Sequence, residues 1–245
     1  MRVPSPPVRT RHRTLLAATA ATLAVLALGA CSEDSSVAAP RVSASATTAA
    51  SRPWDHAPHA RIVVVGDSIS GGHGLTDAQA WPALLADEHH WALTNLSCDG
   101  AGVAAVGDDD DCASAYPTLV KRAVELRPAV VFVQASSNDL GMDDAEIRSA
   151  TNQVVADVHR RLPEARLIGL SAIWNQDAPP AQLAVISKAL RKAIRHEGGQ
   201  YVDIGEPLRG HQDWMQSDDV HPTVEGQQAI ASDVAAAFAK DHVRF

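Results

Sequence analysis

Four consecutive β-branched residues, Ile62, Val63, Val64 and Val65, leave no polar face on the segment they form. Such a strand is buried on both sides, the condition of a central strand in a parallel sheet covered by helices. The run stops at Gly66, and Asp67-Ser68 is followed by Gly71-Gly72-His73-Gly74, with three glycines in four residues. One hydroxyl is thereby delivered to the carboxyl end of a central strand, where open α/β sheets hold their ligands. Ser68 is the candidate nucleophile. The alternative is that Asp67 and Ser68 are ordinary polar residues at a strand-to-loop junction.

From Arg61 onward strands and helices alternate. Segments 61–65, 91–95, 129–134, 166–171 and 200–204 read as strands, with helices over 78–89, 113–126, 143–162, 180–196 and about 223–240. In the second helix Leu119, Val120, Val124 and Leu126 crowd one side, and Arg127-Pro128 closes it before Val130-Val131-Phe132-Val133. In the last, Ile230, Val234, Ala237 and Phe238 recur at helical spacing and form a core-facing stripe. Each crossover between parallel strands needs a helix and is right-handed, so the order predicts a five-stranded parallel sheet with helices on both faces. Composition does not break after residue 60, which makes 59–245 one α/β domain without a separate lid.

What precedes that domain sets the expected compartment. Basic residues up to Arg13 are followed by a Leu/Ala-rich run from Leu15 to Ala30, short for a membrane span of ~20 apolar residues. It reads as an export signal over 1–30. Leu28-Gly29-Ala30-Cys31 resembles the lipobox of bacterial lipoproteins, in which cleavage precedes a cysteine that is then lipidated; a plain secretory signal with a chance cysteine is the other reading. Residues 32–58, rich in Ser, Ala, Thr and Pro, read as a flexible tether between a lipidated Cys31 and the domain. With Cys31 lipidated, Cys98 and Cys112 remain as a pair, either bonded or as two free thiols.

Net charge argues against one class of partner. The formal charge is −8, and setting aside Arg2, Arg9, Arg11 and Arg13 of the signal leaves 17 basic against 29 acidic residues, a balance of −12. Phosphate binding is driven by clustered Lys and Arg, so no nucleic-acid partner is expected. No Cys-x-x-Cys or His/Cys cluster suggests zinc, and no metal or cofactor is expected. The acidic run Asp108–Asp111 reads as a solvated loop in preference to a calcium site.

A hydroxyl is a weak nucleophile until a base takes its proton. Among eleven histidines, His73 lies five residues past Ser68, but nothing adjacent to it in sequence orients its ring. His221 is placed differently. Ser217-Asp218-Asp219-Val220-His221-Pro222-Thr223 follows the fifth strand and precedes the last helix, at the same sheet edge as Ser68. Asp218, three residues before His221, can fix the imidazole tautomer from within one short loop. A helix-capping loop with a solvated histidine is the plainer alternative.

At this point Gly66-Asp67-Ser68 and Asp218-Asp219-Val220-His221-Pro222 resemble the first and last motif blocks of the SGNH (GDSL) hydrolase family. The family's intervening blocks, Asn-x-Ser-x-x-Gly and Gly-x-Asn-Asp, are matched in order by Asn95-Leu96-Ser97-Cys98-Asp99-Gly100 and by Ser136-Ser137-Asn138-Asp139. The resemblance spans 61 to about 240 and implies a flavodoxin-like three-layer α/β/α sandwich acting on carboxylic esters without a cofactor. It assigns Ser68 as nucleophile, His221 as general base and acid, and Asp218 as its orienter. Its oxyanion hole is the N–H groups of Ser68 and Gly100 with the side-chain amide of Asn138.

Ser136 stands where the family has glycine, so either the turn needs no positive φ or Asn138 is presented differently. Ser70 occupies the place of the second glycine in a Gly-x-Ser-x-Gly elbow, which disfavours the α/β-hydrolase arrangement. Trp81 reads as a core residue, and Trp174-Asn175-Gln176 either lines an acyl or sugar pocket or simply packs. The expectation is an exported, lipid-anchored, monomeric esterase acting on a lipid, glycan or other small acyl ester. An acyltransferase built on the same site, or a non-catalytic binding module that kept the fold, are the alternatives.

Overall fold

In the computed structural model, which describes residues 59–108, 112–243 and 245, the run Arg61–Val65 forms β1. The signal over 1–30, Cys31, the tether over 32–58 and Asp109 to Asp111 of the acidic run lie outside the described residues. Strand β1 is parallel to β2 (Ala92–Asn95) on one side and to β3 (Val130–Gln134) on the other. Then β4 (Arg166–Leu170) pairs with β3, and β5 (Gln200–Val202) with β4, giving the order β2-β1-β3-β4-β5. The order in which strands are added reverses at the β1/β3 boundary, with β2 on one side of β1 and β3 to β5 on the other, and the crevice outside the carboxyl ends of the strands opens there.

Alternation along β1 divides the core. Ile62 and Val64 point to a layer with Phe132, Ile168 and Phe238, closed by α2 (Trp81–His89) and α6 (Val224–Lys240). Val63 and Val65 point to the opposite layer, closed by α3 (Tyr116–Leu126), α4 (Asp144–Arg161) and α5 (Ala181–His196). A single helical turn, α1 (Ser68–Gly71), follows β1 directly.

The helices start where the chain allows it. Pro82 has no N–H to bond back to Ala78, so the expected 78–89 helix is split into a 3₁₀ turn over Asp77–Gln79 and α2. Pro117 likewise sits in the first turn of α3, which begins three residues later than expected. Its buried stripe is Tyr116, Leu119, Val120 and Ala123; Val124 is partly buried, and Leu126 is exposed where the chain turns away through Arg127 at φ 47°. Asp143 caps α4 by accepting from the N–H groups of Ala145 and Glu146, and Thr223 caps α6 through the N–H of Gly226. Such caps contribute about 1 kcal/mol each. Strand β5 ends at Val202, two residues early, because the Asp203 carboxylate accepts from the N–H of Gly205 and turns the chain.

Cys98 and Cys112 are disulfide-bonded, with Cα atoms 5.9 Å apart. The bridge closes a 14-residue separation around Gly100, a constraint on the unfolded chain of about 3 kcal/mol in the loop-entropy description. Among the described residues no helix is long and apolar enough to cross a membrane.

Candidate active site

The turn after β1 is built around one buried carboxylate. Gly66 is required there, because a Cβ would lie 2.7 Å from the Ser70 Cβ and 2.8 Å from Ser97 Oγ. Asp67 then caps α1, its Oδ1 accepting from the N–H of Ile69 at 3.0 Å. Burial pushes the Asp67 carboxyl up to about 6, even though donors from Ser136, Ile69 and Ser70 pull the other way. Ser68 follows at the start of α1, 7% exposed. Its carbonyl accepts from the N–H groups of Gly72 and His73, and Asn95 Nδ2 holds the Ser70 carbonyl at 2.7 Å, so the turn carrying the hydroxyl is pinned from two sides.

Gly100 follows β2 with φ 73°, a left-handed conformation, and an added Cβ would press 2.8 Å from Asp108 Oδ1. Asn138 sits in a 3₁₀ turn over Ser137–Asp139 after β3, and its Nδ2 donates to the Ala101 carbonyl at 3.0 Å. That bond fixes the amide beside the Gly100 loop and leaves its second N–H available. Asp139, fully buried, accepts from the N–H groups of Val103, Ala104 and Ala105 and holds the far side of the same loop.

Ser136 resolves one of the alternatives open in the sequence. Its φ is −105°, so the turn needs no glycine, and the side chain does something a glycine could not. The Ser136 hydroxyl lies 2.7 Å from Asp67 Oδ2 and 2.8 Å from the Ala101 carbonyl, and accepts from the Asn138 N–H at 3.1 Å. One hydroxyl proton serves one of the two acceptors at a time. Ser136 thus connects the carboxylate beside the nucleophile to the backbone that presents Asn138.

The fourth component comes from the loop before α6. Asp218 Oδ1 accepts from the N–H groups of Val220 and His221, and Oδ2 lies 2.8 Å from His221 Nδ1. The backbone N–H of His221, then its ring, hold the Asp218 carboxyl well below the usual carboxylate range. Gln216 Nε2 donates to the carbonyls of both His73 (2.7 Å) and Pro222 (2.9 Å), which ties the His221 loop to the loop after Ser68. Gln227 of α6 bonds the Trp81 N–H through Oε1 and the Ile69 carbonyl through Nε2. Trp81 is a core residue as expected, fully buried, with Nε1 on Ser70 Oγ at 3.1 Å.

His73 is the residue the sequence undervalues. Nothing adjacent in the chain orients its ring, but in the fold Asp99, in the loop after β2, pairs with Nδ1. The ring stacks on that of His221, centroids 4.0 Å apart and planes 30° apart. Ser68, His73, Asp218 and His221 therefore share one end of the sheet. Among the described residues no hydrogen bond joins Ser68 Oγ to His221; such contacts tighten when substrate binds.

Two depressions are notable, of which the first takes in His73 of this cluster. One, of about 690 Å³ and polar, runs from Gly71 and His73 past Asp77 to Thr94 and Asp99. The other, of about 250 Å³ and more apolar, is lined by Trp174, Pro179, Pro180 and Leu183. Trp174 both lines this hollow and packs against the core, while Asn175 Nδ2 donates to the Asp219 carbonyl at 3.0 Å and braces the His221 loop.

A β2-β1-β3-β4-β5 parallel sheet, with a serine after β1, a glycine after β2, an asparagine after β3 and an Asp–His pair before α6, defines a hydrolase of the SGNH type. Residues 64–229 match the GDSL-like lipase/acylhydrolase family, and the chain belongs to it. That family comprises carboxylic ester hydrolases. The chain is 27% identical over 181 residues to the esterase TesA of Pseudomonas aeruginosa, covering 71% of this chain and 85% of that protein. It is 27% identical over 188 residues to a GDSL lipase of Mycobacterium tuberculosis, covering 71% and 79%. Among solved structures, the psychrotrophic esterase EstA of a Pseudoalteromonas species superposes with a TM-score of 0.61 at 18% identity, over 74% of this chain and 97% of that one. At that identity the likeness concerns the fold.

Proposed function

We propose that this protein is a serine esterase that cleaves carboxylic esters through an acyl-enzyme on Ser68. The observation that carries the reading is the Asp218–His221 pair at 2.8 Å, in a loop bound to the Ser68 loop through Gln216 and the His73 ring. Ser68 Oγ adds to the ester carbonyl as His221 takes its proton, and His221 returns that proton to the leaving alcohol. Water, deprotonated by the same imidazole, then releases the acid and restores the serine. Asp218, anionic and fixed by two N–H groups, holds the imidazole tautomer and stabilises the imidazolium. The N–H groups of Ser68 and Gly100 and the Asn138 amide receive the oxyanion, each such donor contributing about 10² to 10³ in rate.

The relatives' names, an esterase and a lipase, support an acyl ester of a lipid or another small alcohol. A fluorophosphonate probe is expected to label the wild type, and labelling is lost in Ser68→Ala. Equal labelling of both would remove Ser68 from the reaction. Ester hydrolysis in the presence of an added acceptor alcohol distinguishes release to water from acyl transfer.

The reading extends to location. Export by the 1–30 segment and lipidation of Cys31 would set the domain at a membrane surface on a tether, with each buried CH₂ of the acyl chains contributing about 0.8 kcal/mol. Metabolic labelling with an alkyne fatty acid is expected to mark the wild type and not Cys31→Ser; label retained in the variant places the lipid elsewhere, and an unlabelled wild type removes it.

A further inference from the structure

Two imidazoles, each backed by a carboxylate, stand face to face at the mouth of this site: His73 with Asp99 and His221 with Asp218. The second pair has a role in ester cleavage as proposed above. The first has none, and its ring occupies space over the general base. One ring nitrogen of His73, one of His221 and one oxygen of Asp218 all lie within 4.8 Å of one another. A tetrahedral zinc with bonds near 2.0 to 2.2 Å keeps its ligand atoms roughly 3.4 Å apart, so closure asks for movements of about an ångström. The side chains of His73 and Asp218 are 45% and 43% exposed, so solvent reaches the cluster, and closure exchanges the bond between Asp218 and the His221 ring for bonds to the ion.

We propose that His73, His221 and Asp218 form a binding site for a divalent transition ion of the zinc type, and that its occupancy switches the esterase off. Two imidazoles and a carboxylate are a donor set found in three-ligand zinc sites, and the borderline-soft nitrogens select zinc-like ions over magnesium and calcium. Asp99 supplies the outer partner that metal-bound histidines ordinarily have: with its carboxylate on Nδ1 of His73, Nε2 is the ring nitrogen left to face an ion. Occupancy inhibits because His221 cannot hold a metal and accept the Ser68 proton at once, and because Asp218 would be drawn away from its orienting role. Sequence spacing conceals the site, as His73 belongs to the loop after β1 and the other two ligands to the loop before α6.

The test reads binding without relying on ester hydrolysis. Full-chain, tag-free Ser68→Ala protein, which retains all three ligands, is titrated with zinc chloride by calorimetry, alone and with His73→Gln or Asp218→Asn added. One ion per chain is expected in Ser68→Ala, with the dissociation constant raised at least tenfold by either added substitution. Thermal melting confirms that the variants fold, and Co²⁺ in place of zinc should give the visible absorption of a low-coordinate site, lost with His73→Gln. In the wild type, zinc should inhibit hydrolysis of p-nitrophenyl acetate, excess chelator should restore it, and the inhibition constant should rise with His73→Gln in parallel with the binding constant. Absence of one-to-one binding, or a His73→Gln effect under tenfold, overturns the site. Binding without inhibition overturns the switch. A wild type with no esterase activity would count against the proposed function while leaving the calorimetric result to decide the metal site.

Discussion

Asp67 and Asp218 belong to loops at the same end of the sheet, and their carboxyl groups are displaced in opposite directions. Each receives a ring or hydroxyl partner and backbone N–H groups: Ser136, Ile69 and Ser70 for Asp67, and Val220 and His221 for Asp218. The difference is water. Asp67 is 1% exposed, and the lost hydration outweighs its donors, whereas the side chain of Asp218 is 43% exposed and its donors prevail. Counting hydrogen bonds therefore does not predict the charge state; the bonds have to be weighed against desolvation. The consequence for the proposed chemistry is a division of labour. Asp218 is anionic throughout the neutral range and stands ready to stabilise an imidazolium, while Asp67 titrates near 6 and acts as a buried structural anchor.

The largest expected effect comes from removing the charge that the solvated carboxylate keeps. Asp218→Asn retains the shape but reverses what Nδ1 meets, and kcat is expected to fall about 10³- to 10⁴-fold with little change in melting temperature. Steady-state kinetics with p-nitrophenyl acetate check it, and a loss below tenfold would mean that Asp218 does not orient His221. The buried partner should give a stability effect that depends on pH. The Asp67 carboxyl is raised from 3.8 to about 6 on folding, so its contribution is fully present below 3.8 and is lost as pH rises through about 6. Asp67→Asn cannot ionise, so its stability relative to wild type should rise over that window and level off above it, by about 3 kcal/mol in all. Urea denaturation at pH 4, 5, 6 and 7.5 gives the curve, and a difference that stays constant with pH would show that Asp67 keeps an ordinary acidity.

The smallest effect tests the link between the two sides of the site. Ser136→Gly restores the family's residue and removes both the donor to Asp67 and the acceptor of the Asn138 N–H. A stability loss of about 1 to 2 kcal/mol is expected, with kcat lowered roughly three- to tenfold and KM unchanged, because the Asn138 amide would keep its bond to Ala101 but lose its backbone support. Unchanged kcat in a destabilised Ser136→Gly would confine Ser136 to holding the fold.

These three aspects of the site were not equally visible in the chain. The five strands, the parallel sheet, Ser68 and the Asp218–His221 pair follow from local signals: β-branched runs, Pro and Gly punctuation, and an Asp three residues before a His; Gly100 and Asn138 come only with the resemblance to the family's intervening blocks. Boundaries moved where one residue overrode the period, as at Pro82, Pro117 and Asp203. Ser136 could be seen only as a departure from a family pattern, since its use depends on Asp67 and Ala101, which arrive from other strand ends. His73 could not be interpreted at all without Asp99, because a partner supplied by the loop after the neighbouring strand leaves no spacing to find. Local chemistry is written in sequence; chemistry assembled across strand ends is written in topology.

Gln227 carries a consequence for the order in which the site comes into being. Its amide joins α6 to the N–H of Trp81 and the carbonyl of Ile69, and the loop just ahead of α6 carries Asp218 and His221. On the roles proposed here, a nascent chain with β1 to β5 already paired still holds an unactivated serine. On those roles, activation waits for the segment after β5 to dock, an arrangement that Gln227 holds together with Gln216 and Asn175.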